Sequence, residues 1–194
     1  METILDQDII RLIREHPLAW VLPQDQGVFP VLLPMLVECD ATGAPVSLLG
    51  HVPKAHPLAV AFKSDGRARF LFLGPHGYIS PELVSNKDWA PTWNYAALQI
   101  DGDVTIDEKL TDEALGALVE QMEQGRASPW SVSMLGDRYD LLRARVVGFR
   151  ARISNIHARF KLGQDESQTA FGEIVDCLSD PDLSSWMKRF RPAD

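Results

Sequence analysis

Four adjacent side chains, Thr92, Trp93, Asn94 and Tyr95, offer a hydroxyl, an indole, an amide and a phenol directly after Pro91. They open a run, 96–107, in which apolar and polar residues alternate. Ala96, Leu98, Ile100, Val104 and Ile106 share one parity; Gln99, Asp101, Asp103, Thr105 and Asp107 share the other. Alternation of period two predicts a half-buried strand. Trp93 and Tyr95 carry the parity of the polar face, so two large aromatics at its head call for a second subunit or a flat ligand.

Three further segments carry chemistry-bearing residues. Gly50-His51-Val52-Pro53-Lys54-Ala55-His56-Pro57 gathers a lysine and two imidazoles within six positions. Such a loop can present cations to a phosphate, with Gly50 allowing close backbone approach; it also reads as a turn whose histidines satisfy backbone carbonyls. Gly74-Pro75-His76-Gly77-Tyr78-Ile79-Ser80-Pro81 punctuates a tight connection in which Tyr78 and Ser80 can line a pocket or simply end a strand. In 159–164, Lys161 and Gln164 suit an anion or a ring carbonyl, and also suit a solvated face.

Other chemistries lack their signatures. The sequence contains no GxGxxG, P-loop, HExxH or GxSxG word. No pair of carboxylates sits in an apolar context that would tune it for acid–base work. Cys39 and Cys177 are isolated, which argues against a disulfide framework or zinc site, and no metal is expected. The 194 residues suffice for one domain with a sizeable core. A formal charge of −8 argues against direct DNA binding and against attraction to anionic lipid. Without an apolar run near the roughly eighteen residues of a membrane span, and without a signal pattern, the expectation is a soluble cytoplasmic protein.

The elements that must position these residues are readable in outline. A helix is predicted over 6–15, ended by Pro17, with Ile9, Ile10, Leu12 and Ile13 buried. Strands follow at 18–22, at 28–37 (interrupted by Pro30 and Pro34) and at 46–49. Residues 58–63 and 67–73 read as a hairpin through Ser64-Asp65-Gly66. After the strand from Thr92, Thr111 is the predicted cap of a helix whose stripe is Leu115, Leu118, Val119 and Met122, stopped by Gly125. A strand at 145–154 and a helix carrying Phe171, Ile174, Val175 and Leu178 complete the pattern, followed by a tail around Trp186 and Phe190 that docks or frays. Many short strands with few helices predict a mainly β fold, a small barrel with flanking helices.

Taken in order, Leu33-Pro34, Gly50-His51, Ala55-x-Pro57, Phe72 with Gly74-Pro75, Tyr78-Ile79-Ser80-Pro81, Pro91 to Tyr95, Val147-Gly148-Phe149 and Lys161-Leu162 with Gln164 resemble the PaiB-type FMN-binding negative transcriptional regulator family. That family is a branch of the FMN-binding split barrels, which are PNP-oxidase-like. The words Pro-Thr-Trp-Asn-Tyr and Tyr-Ile-Ser-Pro are the specific ones. The resemblance implies a dimeric six-stranded split barrel over residues 1–180, with 181–194 as a tail or short helix. It implies one FMN per protomer, held in a groove at the subunit seam. Lys54 would meet the FMN phosphate, with His51 and His56 in the same loop; Tyr78, Ser80, Thr92, Trp93, Asn94 and Tyr95 would line the flavin, and Lys161 and Gln164 would close the groove.

The chain departs from the family pattern at Val31-Leu32, where Thr-His is usual, and at His56, where Asn is usual. Asp165 in place of Asn puts a negative charge near a phosphate-bearing ligand. The resemblance implies a transcriptional regulator or a sensor of flavin or a metabolite. Related split barrels keep two alternatives open: a flavin-dependent oxidoreductase of the flavin-reductase or haem-degrading type, or a flavin-free dimer that binds another ligand or partner.

Overall fold

A computed structural model of the chain describes residues 4–24 and 27–191. Helix α1, Asp6–Glu15, has the predicted bounds: Asp6 and Asp8 lie at its positive end, Arg14 at its negative end, and Ile9, Ile10, Leu12 and Ile13 are buried. Seven strands follow in chain order: β1 Leu18–Pro23, β2 Val31–Pro34, β3 Leu36–Cys39, β4 Pro45–Pro53, β5 Arg67–Ile79, β6 Thr92–Ile106 and β7 Val146–Lys161. They form one antiparallel sheet in the order β2-β1-β5-β6-β7-β4-β3. The segment predicted as one interrupted strand is two, β2 and β3, divided at Met35. Because β2 also lies beside β4, the two ends of that order approach one another, as barrel closure requires. The architecture is a split barrel with flanking helices.

The predicted hairpin over 58–73 is a correction. Its first half is helix α2, Pro57–Ser64, and only its second half is strand. A short apolar run does not distinguish strand from helix by periodicity. The deciding chemistry lies just before it: Pro57 occupies the first helical turn, and the His56 side chain caps Leu58 N–H. Leu58, Ala61 and Phe62 then share a buried face while Val60 is exposed.

The chain divides into two compact units. One comprises Asp6–Phe72 and Leu98–His157. In it, Ala19, Val21, Phe70 and Phe149 are buried, and Phe62 meets Phe149 edge to face at 5.2 Å. Helix α3, Leu110–Glu123, packs Ala114, with Leu110, Ala117 and Leu118, against Leu36 and Leu49. Its cap differs from the expected one. Lys109 stands at the N-cap without a side-chain bond, whereas Thr111 is fully buried and its Oγ1 accepts from Gly148 N at 3.1 Å. Gly148 is required there, since a Cβ would lie 2.4 Å from the Leu110 carbonyl carbon. After a short 3₁₀ turn, Val132–Leu135, comes helix α4, Arg138–Arg143.

The other unit comprises, among the described residues, 4–5, Leu73–Ala97 and 158–191. It contains the ends of β5 and β7, the start of β6, helix α5, Gln168–Cys177, and helix α6, Pro181–Arg189. Helix α6 docks: Asp180 caps it by accepting from Asp182 N and Leu183 N, and Trp186 is fully buried. Trp186 stacks on Phe190, and both rings meet the edge or face of Phe160. Residues 192–194 of the expected tail lie outside the described residues.

Candidate functional site

The alternation read from the sequence appears in β6 as burial. Asn94, Ala96, Leu98, Ile100, Gly102 and Val104 are buried, while the intervening residues are partly or largely exposed. Trp93 therefore projects outward at 55% exposure, and Tyr78, on neighbouring β5, is 50% exposed. Their rings meet edge to face, centroids 5.8 Å apart at 61°. This geometry fixes both rings yet leaves ring surface available to a flat ligand. Tyr95 stands two residues along the same face and is half-buried.

Lys161, the last residue of β7, donates from Nζ to Thr92 Oγ1. One hydroxyl contact leaves an ammonium with two further donors. The unit of Leu73–Ala97 and 158–191 thus brings together Tyr78, Thr92, Trp93, Tyr95 and Lys161. The exposed aromatic surface fits the ring of a flavin, while Thr92, and with it the contact to Lys161, has the opposite parity to Trp93 and Tyr95 along β6.

Three other predicted residues of this unit have different duties. Asn94 belongs to the buried parity, 2% exposed, with Nδ2 3.5 Å from Met187 Sδ. Its amide faces the interior rather than the exposed aromatic wall. Gln164 is spent on its own turn: Oε1 accepts from Leu162 N at 2.7 Å and Nε2 donates to Phe160 O at 2.9 Å. Gly163, at φ +80°, permits that turn. Ser80 accepts from Glu82 N and caps the 3₁₀ turn Pro81–Leu83.

The cationic loop belongs to the other unit and is built on the end of β4. His51 pairs with Gly148 of β7 in the sheet register. Its Nδ1 is buried and has no hydrogen-bond partner, and burial holds its pKa below the ordinary histidine value. A buried ring nitrogen without a partner is the unpaired polar group of this loop. Lys54 is half-exposed and pairs with Glu108 at 2.8 Å, a partner that sequence spacing gave no means to find. His56 does serve the local backbone, but with the opposite polarity to the expected one: its Nδ1 accepts from Leu58 N at 3.1 Å instead of donating to a carbonyl. Gly50 is also a correction. The space a Cβ would need is filled by Met35 and Phe149 at 2.9 Å, so this glycine serves core packing and not a ligand's approach.

Comparison with known proteins identifies the family and the fold. Residues 3–155 match the family described as "Putative FMN-binding domain". The Protease synthase and sporulation protein PAI 2 of Bacillus subtilis is 27% identical over 177 residues, covering 89% of this chain and 83% of that protein. Among solved structures, the FAD and heme binding protein from Mycobacterium smegmatis superposes with a TM-score of 0.57 at 17% identity, over 82% of this chain and 72% of that one. The flavocytochrome Anf3 from Azotobacter vinelandii gives 0.54 at 14%, over 81% and 72%. At such identities the two structures speak for the fold alone.

Proposed function

The chain belongs to the FMN-binding domain family, with FMN as its cofactor, and on that premise we propose that it is a flavin-holding regulator or sensor. The observation that carries the reading is the half-exposed Tyr78–Trp93 pair. Within one unit, Trp93, Tyr78 and Tyr95 offer the flavin ring its apolar surface and Thr92 and Lys161 are polar candidates; it is the family resemblance, not their placement, that makes Lys54 and His51 candidates for the phosphate. When bound, FMN supplies redox chemistry, and the protein supplies orientation and electrostatics. Similarity to a protein named for protease synthesis and sporulation supports the regulatory half of the proposal.

We also propose a homodimer. Leu18 and Trp20 of β1 and Leu32 of β2 are each about half exposed. The register sets Trp20 opposite Leu32 on one side and Leu71 of β5 on the other. Apolar residues therefore run across three neighbouring strands on the sheet face opposite buried Ala19, Val21 and Phe70. Such a contiguous patch favours association, and a second copy presents an identical one.

Titration of the purified protein with FMN, read by quenching of flavin fluorescence, tests the cofactor reading. Saturable binding that weakens in Lys161→Gln and Lys54→Ala supports it, while fluorescence indifferent to protein refutes it. NAD(P)H consumption by the loaded protein would favour an oxidoreductase over a sensor. Light scattering of wild type against Trp20→Glu tests the dimer, which the variant should dissociate.

A further inference from the structure

Helix α3, the 3₁₀ turn Val132–Leu135 and helix α4 enclose a cleft of about 310 Å³ that the flavin reading does not use. All its lining residues belong to the unit of Asp6–Phe72 and Leu98–His157. Leu115, Val119, Val132, Leu135 and Val146 give its walls, and Trp130 and Tyr139 give aromatic surface. Leu115 and Val119 are two of the four residues that the sequence suggested as the core stripe of α3. They face this cleft instead and remain partly exposed.

The polar groups of the cleft divide into spent and unspent. Tyr139 Oη donates to Asp112 Oδ1 at 2.6 Å, and burial with that bond pushes the phenol up to about 12, so it stays protonated. Arg143 holds both oxygens of Asp112, from Nε at 2.5 Å and from Nη2 at 2.9 Å. Its charge is neutralised within the fold. Arg145 is different. It is exposed, and among the described residues its side chain has no ion pair and no hydrogen bond. Its backbone carbonyl accepts from Lys54 N, which anchors the residue at the start of β7.

We propose that this cleft binds a small amphipathic carboxylate, its apolar body between α3 and α4 and its anionic head on Arg145. Charge decides the class: the Tyr139 and Arg143 side chains are spent within the fold, the Trp130 indole N–H is a neutral donor, and the unpaired charge at the edge is a guanidinium, which suits the planar geometry of a carboxylate. Size follows from the volume. At roughly 30 Å³ per small unit in a liquid, 310 Å³ holds about ten non-hydrogen atoms, a medium-chain acyl group or a one-ring acid. No residue assigned to the flavin takes part, so the two readings stand or fall separately.

Isothermal titration with octanoate, octanol and octylammonium tests the proposal on the intact chain. Octanoate should bind saturably in the millimolar range or tighter, and more strongly than either analogue. Arg145→Gln, a change at an exposed position, should weaken octanoate roughly tenfold while leaving octanol unchanged. Val119→Trp should block both, with circular dichroism confirming the fold; should that variant not fold, Val132→Phe provides the same block from the opposite wall. Equal affinity for octanoate and octanol, indifference to Arg145→Gln, or no binding up to about 10 mM would each overturn the proposal, the last also if a second copy of the chain covers the cleft.

Discussion

Replacing Trp93 by Ala separates a ligand-facing aromatic from a structural one. The side chain is 55% exposed, and an aromatic residue contributes about 150–250 Å² on burial, so a stacked ring can remove about 50–100 Å² from water. At about 25 cal/mol per Å² this is roughly 1–2.5 kcal/mol, in line with about 1–3 kcal/mol for bases stacked on aromatic side chains. Trp93→Ala should therefore weaken FMN roughly 5–70-fold. The internal cost is smaller, since the indole's partner within the fold is Tyr78, and an edge-to-face pair contributes about 0.5–1.5 kcal/mol. The assay is fluorescence titration with FMN, accompanied by thermal denaturation without ligand. Trp93→Phe should restore most of the affinity, because a phenyl face stacks as well. An Ala variant of native melting behaviour that binds FMN within about twofold of wild type would refute the argument, since no stacking contribution of this size could then exist.

Other perturbations follow from the same geometry. Gly148→Ala drives a Cβ to 2.4 Å from the Leu110 carbonyl carbon; overpacking against backbone should cost about 1–3 kcal/mol and lower Tm by about 2–12 °C in calorimetry. Glu108→Gln removes the partner of Lys54 and, if Lys54 meets the phosphate, should tighten FMN up to about fivefold, as expected for an exposed pair of about 0–1 kcal/mol; weaker binding counts against that role. The carboxyl of Glu38 is pushed up by burial, but bonds from Arg150 and Ser47 outweigh this and hold it below its ordinary value. A depressed folded pKa stabilises at pH values above the unfolded one and is lost as pH falls through the folded one. Tm should thus fall as pH drops below about 4.5, and Glu38→Gln should flatten that limb; parallel wild-type and variant curves would show that another group sets it.

The sequence was legible where a pattern depended on one element alone. Alternation in 92–106 predicted both the strand and its faces, because side-chain direction in a strand follows position parity. The same rule, applied strictly, places Asn94 inside: its parity is that of Ala96 and Leu98, whatever the motif around it suggests. Helix α1 was readable from its apolar spacing and Pro17. What stayed hidden depended on partners distant in the chain. Lys54 meets Glu108 across 54 positions, and Arg150 joins Glu38 to Glu113. Glycines were ambiguous for the same reason: Gly50 and Gly148 are needed because Met35, Phe149 and Leu110 stand where a side chain would go.

Helix α2 shows how such ambiguity is settled. Its apolar residues are compatible with a strand, and the deciding interaction is the bond that His56 Nδ1 accepts from Leu58 N. That bond also removes His56 from the set of free imidazoles, so fold and site are decided by one side chain. His51, five residues earlier, has the opposite fate, with Nδ1 buried and unpaired. An unsatisfied buried nitrogen costs stability, about 1–3 kcal/mol, and a ligand that donates to it would recover part of that cost. A proton cannot do so as readily, because burial disfavours the charged imidazole. Of the two histidines that the sequence offered together, His56 therefore spends its Nδ1 on the start of a helix, while the Nδ1 of His51 stays unpaired inside the fold.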